Sequence, residues 1–333
     1  MEIRDGFRTV GSLLTHLEIP SSNLNSLIDP SAEFPMRVSL SFANKMKKAD
    51  PTDPLFLQVI PQLQEKISSQ GFKLDSVGDL DAVKTKGLIQ KYNGRVLLLM
   101  TGACAIHCRY CFRRHFPYEE YKLTSSSKDQ LISIIENDPT IEEVIFSGGD
   151  PLLLSNDQLF DWIKILKNTK NIKRLRIHSR LTTVLPSRFD SGLLEVLSFF
   201  QMGDRKTILV NHINHPNEID ETVKFVFSQL KKADITLLNQ SVLLHQINDQ
   251  MSILKLLSEK LFQAGALPYY LHLLDRTMGT HHFEVDEKEA LKIHSQLAAN
   301  LPGYLVPKLV REIQGQPYKV MISSPSETPT AQI

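Results

Sequence analysis

Residues 95–118 read RVLLLMTGACAIHCRYCFRRHFPY. The first seven form a short, nearly continuous apolar run, the pattern of a strand buried on both faces. The stretch after it carries all three cysteines of the chain, Cys104, Cys108 and Cys111, spaced C-x3-C-x2-C. An odd number of cysteines within eight residues is not a disulfide framework. Thiolates are soft ligands, suited to iron–sulfur clusters, zinc or copper(I). A structural zinc site wants four closed ligands, and His107 or His115 is available as the fourth. A [4Fe–4S] cluster normally takes four cysteines, so three would leave one iron open to a substrate or cofactor.

Working outward, the same kind of run recurs: EEVIFS (142–147), RLRIHS (174–179), KTILVN (206–211), ITLLNQ (235–240) and PYYLHLL (268–274). Between and after the runs lie amphipathic segments near 126–137, 156–168, 190–200, 217–233, 251–265 and 286–300. Apolar strands alternating with helices predict an α/β fold, a parallel sheet covered by helices. Six such units fit a doubly wound sheet or an incomplete (β/α) barrel, and spacing alone does not choose. In both, chemistry belongs at the C-terminal strand ends. Polar residues cluster there: Cys104, then Gly148-Gly149-Asp150, Ser179-Arg180, His212, Gln240 and Asp275.

Residues 1–90 show mixed helical patterning and no clean strand, with DPTDP at 50–54 marking a turn. This stretch is read as a helical N-terminal extension, 91–322 as the core and 323–333 as a frayed tail. Lys plus Arg total 38 and Asp plus Glu 37, a net charge of +1. That balance gives no reason to expect nucleic acid or an anionic membrane as partner. The N-terminus lacks a signal-peptide h-region, and no apolar run approaches membrane length. A soluble, cytoplasmic protein is expected.

A C-x3-C-x2-C loop after the first strand of a (β/α) series resembles the radical S-adenosylmethionine (SAM) superfamily. Its fold is a partial (β/α)6 barrel, and SAM chelates the open iron. GGD at 148–150 looks like that superfamily's contact with the methionine part of SAM. The blocks CRYCFRRHFPY, FSGGDPLL, RIHSR, VNHINHPNE, LLNQSVLL and YYLHLLD occur in order over roughly residues 40–322. Together they resemble lysine 2,3-aminomutases, most of all the short bacterial type that supplies β-lysine for modifying elongation factor P.

The resemblance implies three cofactors: a [4Fe–4S] cluster on Cys104, Cys108 and Cys111, SAM, and pyridoxal phosphate (PLP). A 5′-deoxyadenosyl radical would act on L-lysine held as a PLP aldimine. Lys319 matches the family's PLP lysine, with Lys308 as runner-up. QGQPY stands before Lys319 where larger metabolic enzymes have a run of glycines. Arg113 matches the arginine for the substrate carboxylate, with Arg114 adjacent. Asp275 and Glu312 match the two carboxylates for the ε-ammonium, Glu312 standing where metabolic enzymes have Asp. Arg95 and Lys91 resemble PLP-phosphate contacts. His212 and Gln240 resemble residues beside SAM, with His215 as a substitute for His212.

The implied partners are L-lysine, an electron donor such as flavodoxin or ferredoxin, and indirectly a lysyl ligase and elongation factor P. A homo-oligomer is left open. A metabolic lysine or glutamate aminomutase is the near alternative. Two acidic residues would repel a glutamate side chain. The lack of a cysteine after Cys111 favours the short type. A non-catalytic zinc-knuckle protein is the remote alternative.

Overall fold

A computed structural model describes residues 6–21, 24, 27–124 and 127–323. Most of the tail read as frayed lies outside the described residues. Ten strands form one sheet: β1 Val83–Thr85, β2 Leu88–Ile89, β3 Arg95–Thr101, β4 Glu143–Gly148, β5 Arg174–Ser179, β6 Lys206–His212, β7 Thr236–Val242, β8 Leu267–His272, β9 Lys308–Arg311 and β10 Val320–Met321. The helices are α1 Val10–His16, α2 Leu40–Ala43, α3 Pro54–Leu57, α4 Tyr118–Tyr121, α5 Lys128–Asn137, α6 Asn156–Asn168, α7 Leu181–Val184, α8 Ser191–Ser198, α9 Glu221–Lys232, α10 Met251–Ala264 and α11 Glu287–Asn300. Among the described residues, no helix is long and apolar enough to cross a membrane.

Strands β3 to β9 pair in parallel and in strict sequence order. That order decides what spacing left open. A doubly wound sheet reverses its strand order at a switch point, and this one does not. The result is a partial barrel with β1-β2 and β10 as antiparallel flaps at its two edges. The six runs read from the sequence are β3 to β8. A seventh parallel strand, β9, was missed because KLVR is only four residues, wedged behind Pro307. Likewise, the stretch read as free of clean strands holds β1 and β2, too short to show a period.

Local chemistry sets the helix ends. Ser155 and Gln158 form a capping box on α6, Asp220 caps α9, and Gly265 ends α10 at φ 99°. Strand side chains alternate, and this alternation builds the barrel's two faces. In β5, Leu175 and Ile177 are buried in the core that α6 and α8 complete. The intervening Arg176 and His178 face an interior cavity instead.

Candidate active site

The cavity, of about 310 Å³, lies inside the barrel and reaches the C-terminal ends of the parallel strands. Cys104, Cys108, Cys111, Arg113, Gly148, Gly149, Asp150, His212, Gln240, Asp275, Glu312, Lys319 and Arg95 all line it. Lys91, Ser179 and Arg180 do so as well. The alternatives fall elsewhere. Lys308 is exposed. Arg114 is tied to Glu65 and to the carbonyls of Arg109 and Gly279. The His215 ring accepts from Asn217 N. His107 Nδ1 faces Pro35 O at 2.8 Å, and His115 Nε2 faces Met278 O at 3.1 Å.

The cysteine loop is held from outside by the N-terminal segment. Arg37 Nη1 donates to Cys104 O at 3.0 Å, His107 N to Arg37 O at 2.9 Å and Arg109 N to Gln58 O at 2.9 Å. Arg109 is fully buried and pairs with Glu65 through Nε and Nη2. From inside, the loop lies on the end of β4. Gly149 N donates to Thr101 O at 2.6 Å, and Asp150 N to Ala103 O at 2.8 Å. A Cβ on Gly149 would sit 2.1 Å from Ala103 O, so only glycine lets the two backbones approach this closely. Gly148 has φ +116°, a conformation that also favours glycine.

All three thiols are partly buried and free. Burial pushes the Cys111 thiol up to about 11, and Cys104 is raised by burial and by its neighbours Cys111, Asp150 and Cys108. Among the described residues, no three His, Cys, Asp or Glu side chains converge on a single metal ion; the three thiols line one cavity without closing on one point, and a four-iron cluster binds each thiolate at a different iron.

Asp150 is buried and ties two strand ends together. It accepts from Ser179 Oγ at 2.9 Å, Arg180 N at 2.8 Å and Leu152 N at 3.2 Å. Burial still pushes its carboxyl up to about 6.

Across the cavity, Asp79 takes Arg113 Nε at 2.6 Å and Lys91 Nζ at 2.7 Å. Burial opposes its ionisation, yet these two cations hold it at about 2. Glu312 accepts from Lys319 Nζ and, at 2.5 Å, from Tyr92 Oη. Burial would raise it, but Lys319 and Lys91 outweigh that and keep it below the usual range. Asp275 is different. Its Oδ1 is buried with no hydrogen-bond partner. Burial pushes its carboxyl up to about 7, against the pull of Lys319 and with Glu312 adding to the rise.

Sequence reading missed several lining residues: Asp79, Tyr92, Arg176, His178, Tyr270 and His272. Burial keeps His178, His212 and His272 far below the usual imidazole range, so all three are neutral. A usable signal existed. RLRIHS alternates polar and apolar residues at period two, which marks a strand with one polar face.

The family model described as the Radical SAM superfamily matches residues 98–257. An L-lysine 2,3-aminomutase of Haemophilus influenzae is 44% identical over 93% of this chain and 90% of its own length. Another of Escherichia coli K12 is 45% identical over 86% of this chain and 82% of its own. Among solved structures, Streptococcus suis SuiB bound to S-adenosylmethionine aligns at 10% identity and a TM-score of 0.48, covering 67% of this chain and 51% of that one. The cavity holds the cysteine loop, a lysine and paired carboxylates together, and the likeness to the two aminomutases runs nearly end to end: the chain belongs to the lysine 2,3-aminomutase family of radical SAM enzymes.

Proposed function

We propose that this enzyme moves the amino group of L-lysine from C2 to C3, and that the β-lysine formed serves modification of elongation factor P. The observation that carries the reading is Asp275. Its carboxylate is desolvated and incompletely partnered, and it faces the cavity that also holds Glu312, Lys319 and the three cysteines. A buried carboxylate without a counter-charge is costly, and a bound ammonium removes that cost.

The residues present suit the cofactors of the family, a [4Fe–4S] cluster, SAM and PLP. Three soft donors line the same cavity as the Gly148–Gly149 backbone, and Arg95 has a buried Nε with no partner. Bound there, the cluster and SAM supply one-electron radical chemistry, while PLP carries the amine. Cys104, Cys108 and Cys111 would hold the cluster, and Lys319 would hold PLP. His212, Gln240 and the Gly148–Asp150 turn would border SAM, and Arg95 and Lys91 the PLP phosphate.

The chain's own groups then orient the substrate. Arg113 presents a planar, permanently charged fork to the α-carboxylate. Asp79 fixes that fork from behind through Nε, and Ser147 Oγ accepts from Nη1 at 3.2 Å. Asp275 and Glu312 take the ε-ammonium, so recognition spans both ends of lysine. Lys319 and Glu312 are ion-paired here, and each gives up the other when substrate and PLP are bound. Neutral His178 and His272 line the wall without adding charge beside a cationic substrate.

The test is anaerobic turnover of reconstituted enzyme with SAM, PLP, a low-potential electron donor such as flavodoxin, and L-lysine. Chiral chromatography should find β-lysine only when SAM is present, and its absence from iron-loaded enzyme would refute the substrate. Comparing the mass of elongation factor P from cells with and without this chain tests the downstream role.

A further inference from the structure

The guanidinium of Arg180 is buried where β5 enters α7. Its Nη1 donates to Cys108 Sγ at 2.7 Å and to Tyr110 Oη at 2.8 Å. Its Nη2 donates to Gln58 Oε1 at 2.7 Å and to Glu218 Oε2 at 3.1 Å. Glu218 is fully buried, and its other oxygen accepts from Asn214 N at 2.9 Å and His215 N at 3.1 Å. The strand end thus fixes the cation, and the turn after β6 fixes the anion. Burying two charges carries a large desolvation cost, and packing alone would be served as well by apolar side chains. Among the described residues, Cys108 is the one cysteine whose sulfur accepts from a charged side chain.

We propose that Arg180 and Glu218 are positioning residues that set the reduction potential of the cluster through the sulfur of Cys108. The inference rests on reading Cys108 as a cluster ligand. Reduction adds negative charge that spreads onto the ligating sulfurs. A cation donating a hydrogen bond to one of them stabilises the reduced state and raises the potential. Glu218, on the far edge of the same guanidinium, offsets part of that charge and lowers it. The two residues therefore act with opposite signs on one atom.

The experiment is a redox titration of the iron-loaded full chain, without SAM, PLP or lysine, read by electron paramagnetic resonance of the reduced cluster. Arg180→Met should shift the one-electron equilibrium toward the oxidised form at least tenfold, which is about 59 mV. Glu218→Gln should shift it at least tenfold the other way. The double variant carries no lone buried charge and should fall between the two single variants, below wild type by a smaller factor than Arg180→Met, because Arg180 donates to the sulfur itself and Glu218 only pairs with the guanidinium. It keeps the test available if the single variants do not fold.

A purely structural role would change iron content without moving the two potentials in opposite directions. Shifts below tenfold in both single variants, or shifts of one sign, overturn the proposal. So does a foldable double variant with the wild-type potential. Wild-type chain that takes up no iron overturns the cluster reading itself, and this proposal with it.

Discussion

Replacing Asp275 with Asn should free the cofactor-free protein of a stability loss that the wild type suffers as pH rises, while abolishing its use of lysine. The carboxyl lies near 7 in the folded chain, against an ordinary value of 3.8. Between those values the folded state binds the extra proton, so stability falls as pH rises. The penalty is complete only above about 7. Between pH 5 and pH 8 the folded chain loses about two pH units of this linkage, at about 1.36 kcal/mol per unit, or roughly 3 kcal/mol. Asparagine cannot ionise and escapes that loss. Its own amide needs add an offset that does not vary with pH, so the informative quantity is the change in the wild-type-to-variant difference. Urea unfolding of both proteins at pH 5, 6, 7 and 8 measures it. A companion signal comes from calorimetry at pH 6 in two buffers of different ionisation enthalpy. Lysine binding to wild type should release protons, because the ammonium replaces the proton on Asp275. Stability curves that run parallel across the whole range would refute the assignment of a desolvated, proton-holding carboxylate.

The remaining predictions concern the cysteine loop and Lys319. Cys108→Ser should lose bound iron and all turnover, with iron per chain as the measure. Lys319→Ala should keep its iron but lose the visible absorbance of protein-bound PLP, and persistence of that absorbance would move the assignment away from Lys319. Gly149→Ala forces a methyl to 2.1 Å from Ala103 O, a backbone atom that cannot rotate away. Overpacking of this kind costs about 1–3 kcal/mol. It should lower both the unfolding midpoint and the iron content, whereas Gly303→Ala, with nothing within 4 Å of its Cβ and no left-handed backbone, should leave iron content at the wild-type level.

The parallel strands were legible because their outward faces are long aliphatic runs that recur at a helix's spacing. RVLLLMT and KTILVN announce β3 and β6 without help from the rest of the chain. The short strands β1, β2, β9 and β10 were not legible, since two to four residues carry no measurable period and their pairing is decided by the neighbours they meet. The cysteine spacing pointed to a thiolate-held metal or cluster, and only the resemblance chose the cluster. The inner wall did not name its chemistry, because residues such as His178 and His272 acquire meaning only once alternation turns them inward and burial strips their charge.

Position in a loop was also misleading. Nothing in EFPMR or in Gln58 and Glu65 suggests contact with a cysteine loop that begins between about forty and seventy residues downstream. Yet Pro35, Arg37, Gln58 and Glu65 all hold the cysteine loop in place. The GGD turn shows a related limit. The motif drew notice as a ligand contact, while its glycines are already required by the close approach of Ala103 and its aspartate by three donors at the strand ends.

The central claim is that one cavity joins the radical chemistry of the cysteine loop to a lysine held between Arg113 and the Asp275–Glu312 pair. Turnover of L-lysine deuterated at C3 tests it most directly. The account predicts β-lysine carrying deuterium newly placed at C2, appearing only with SAM and lost in Asp275→Asn. β-Lysine whose C2 holds no deuterium from C3, or product formed equally well without SAM, would contradict it.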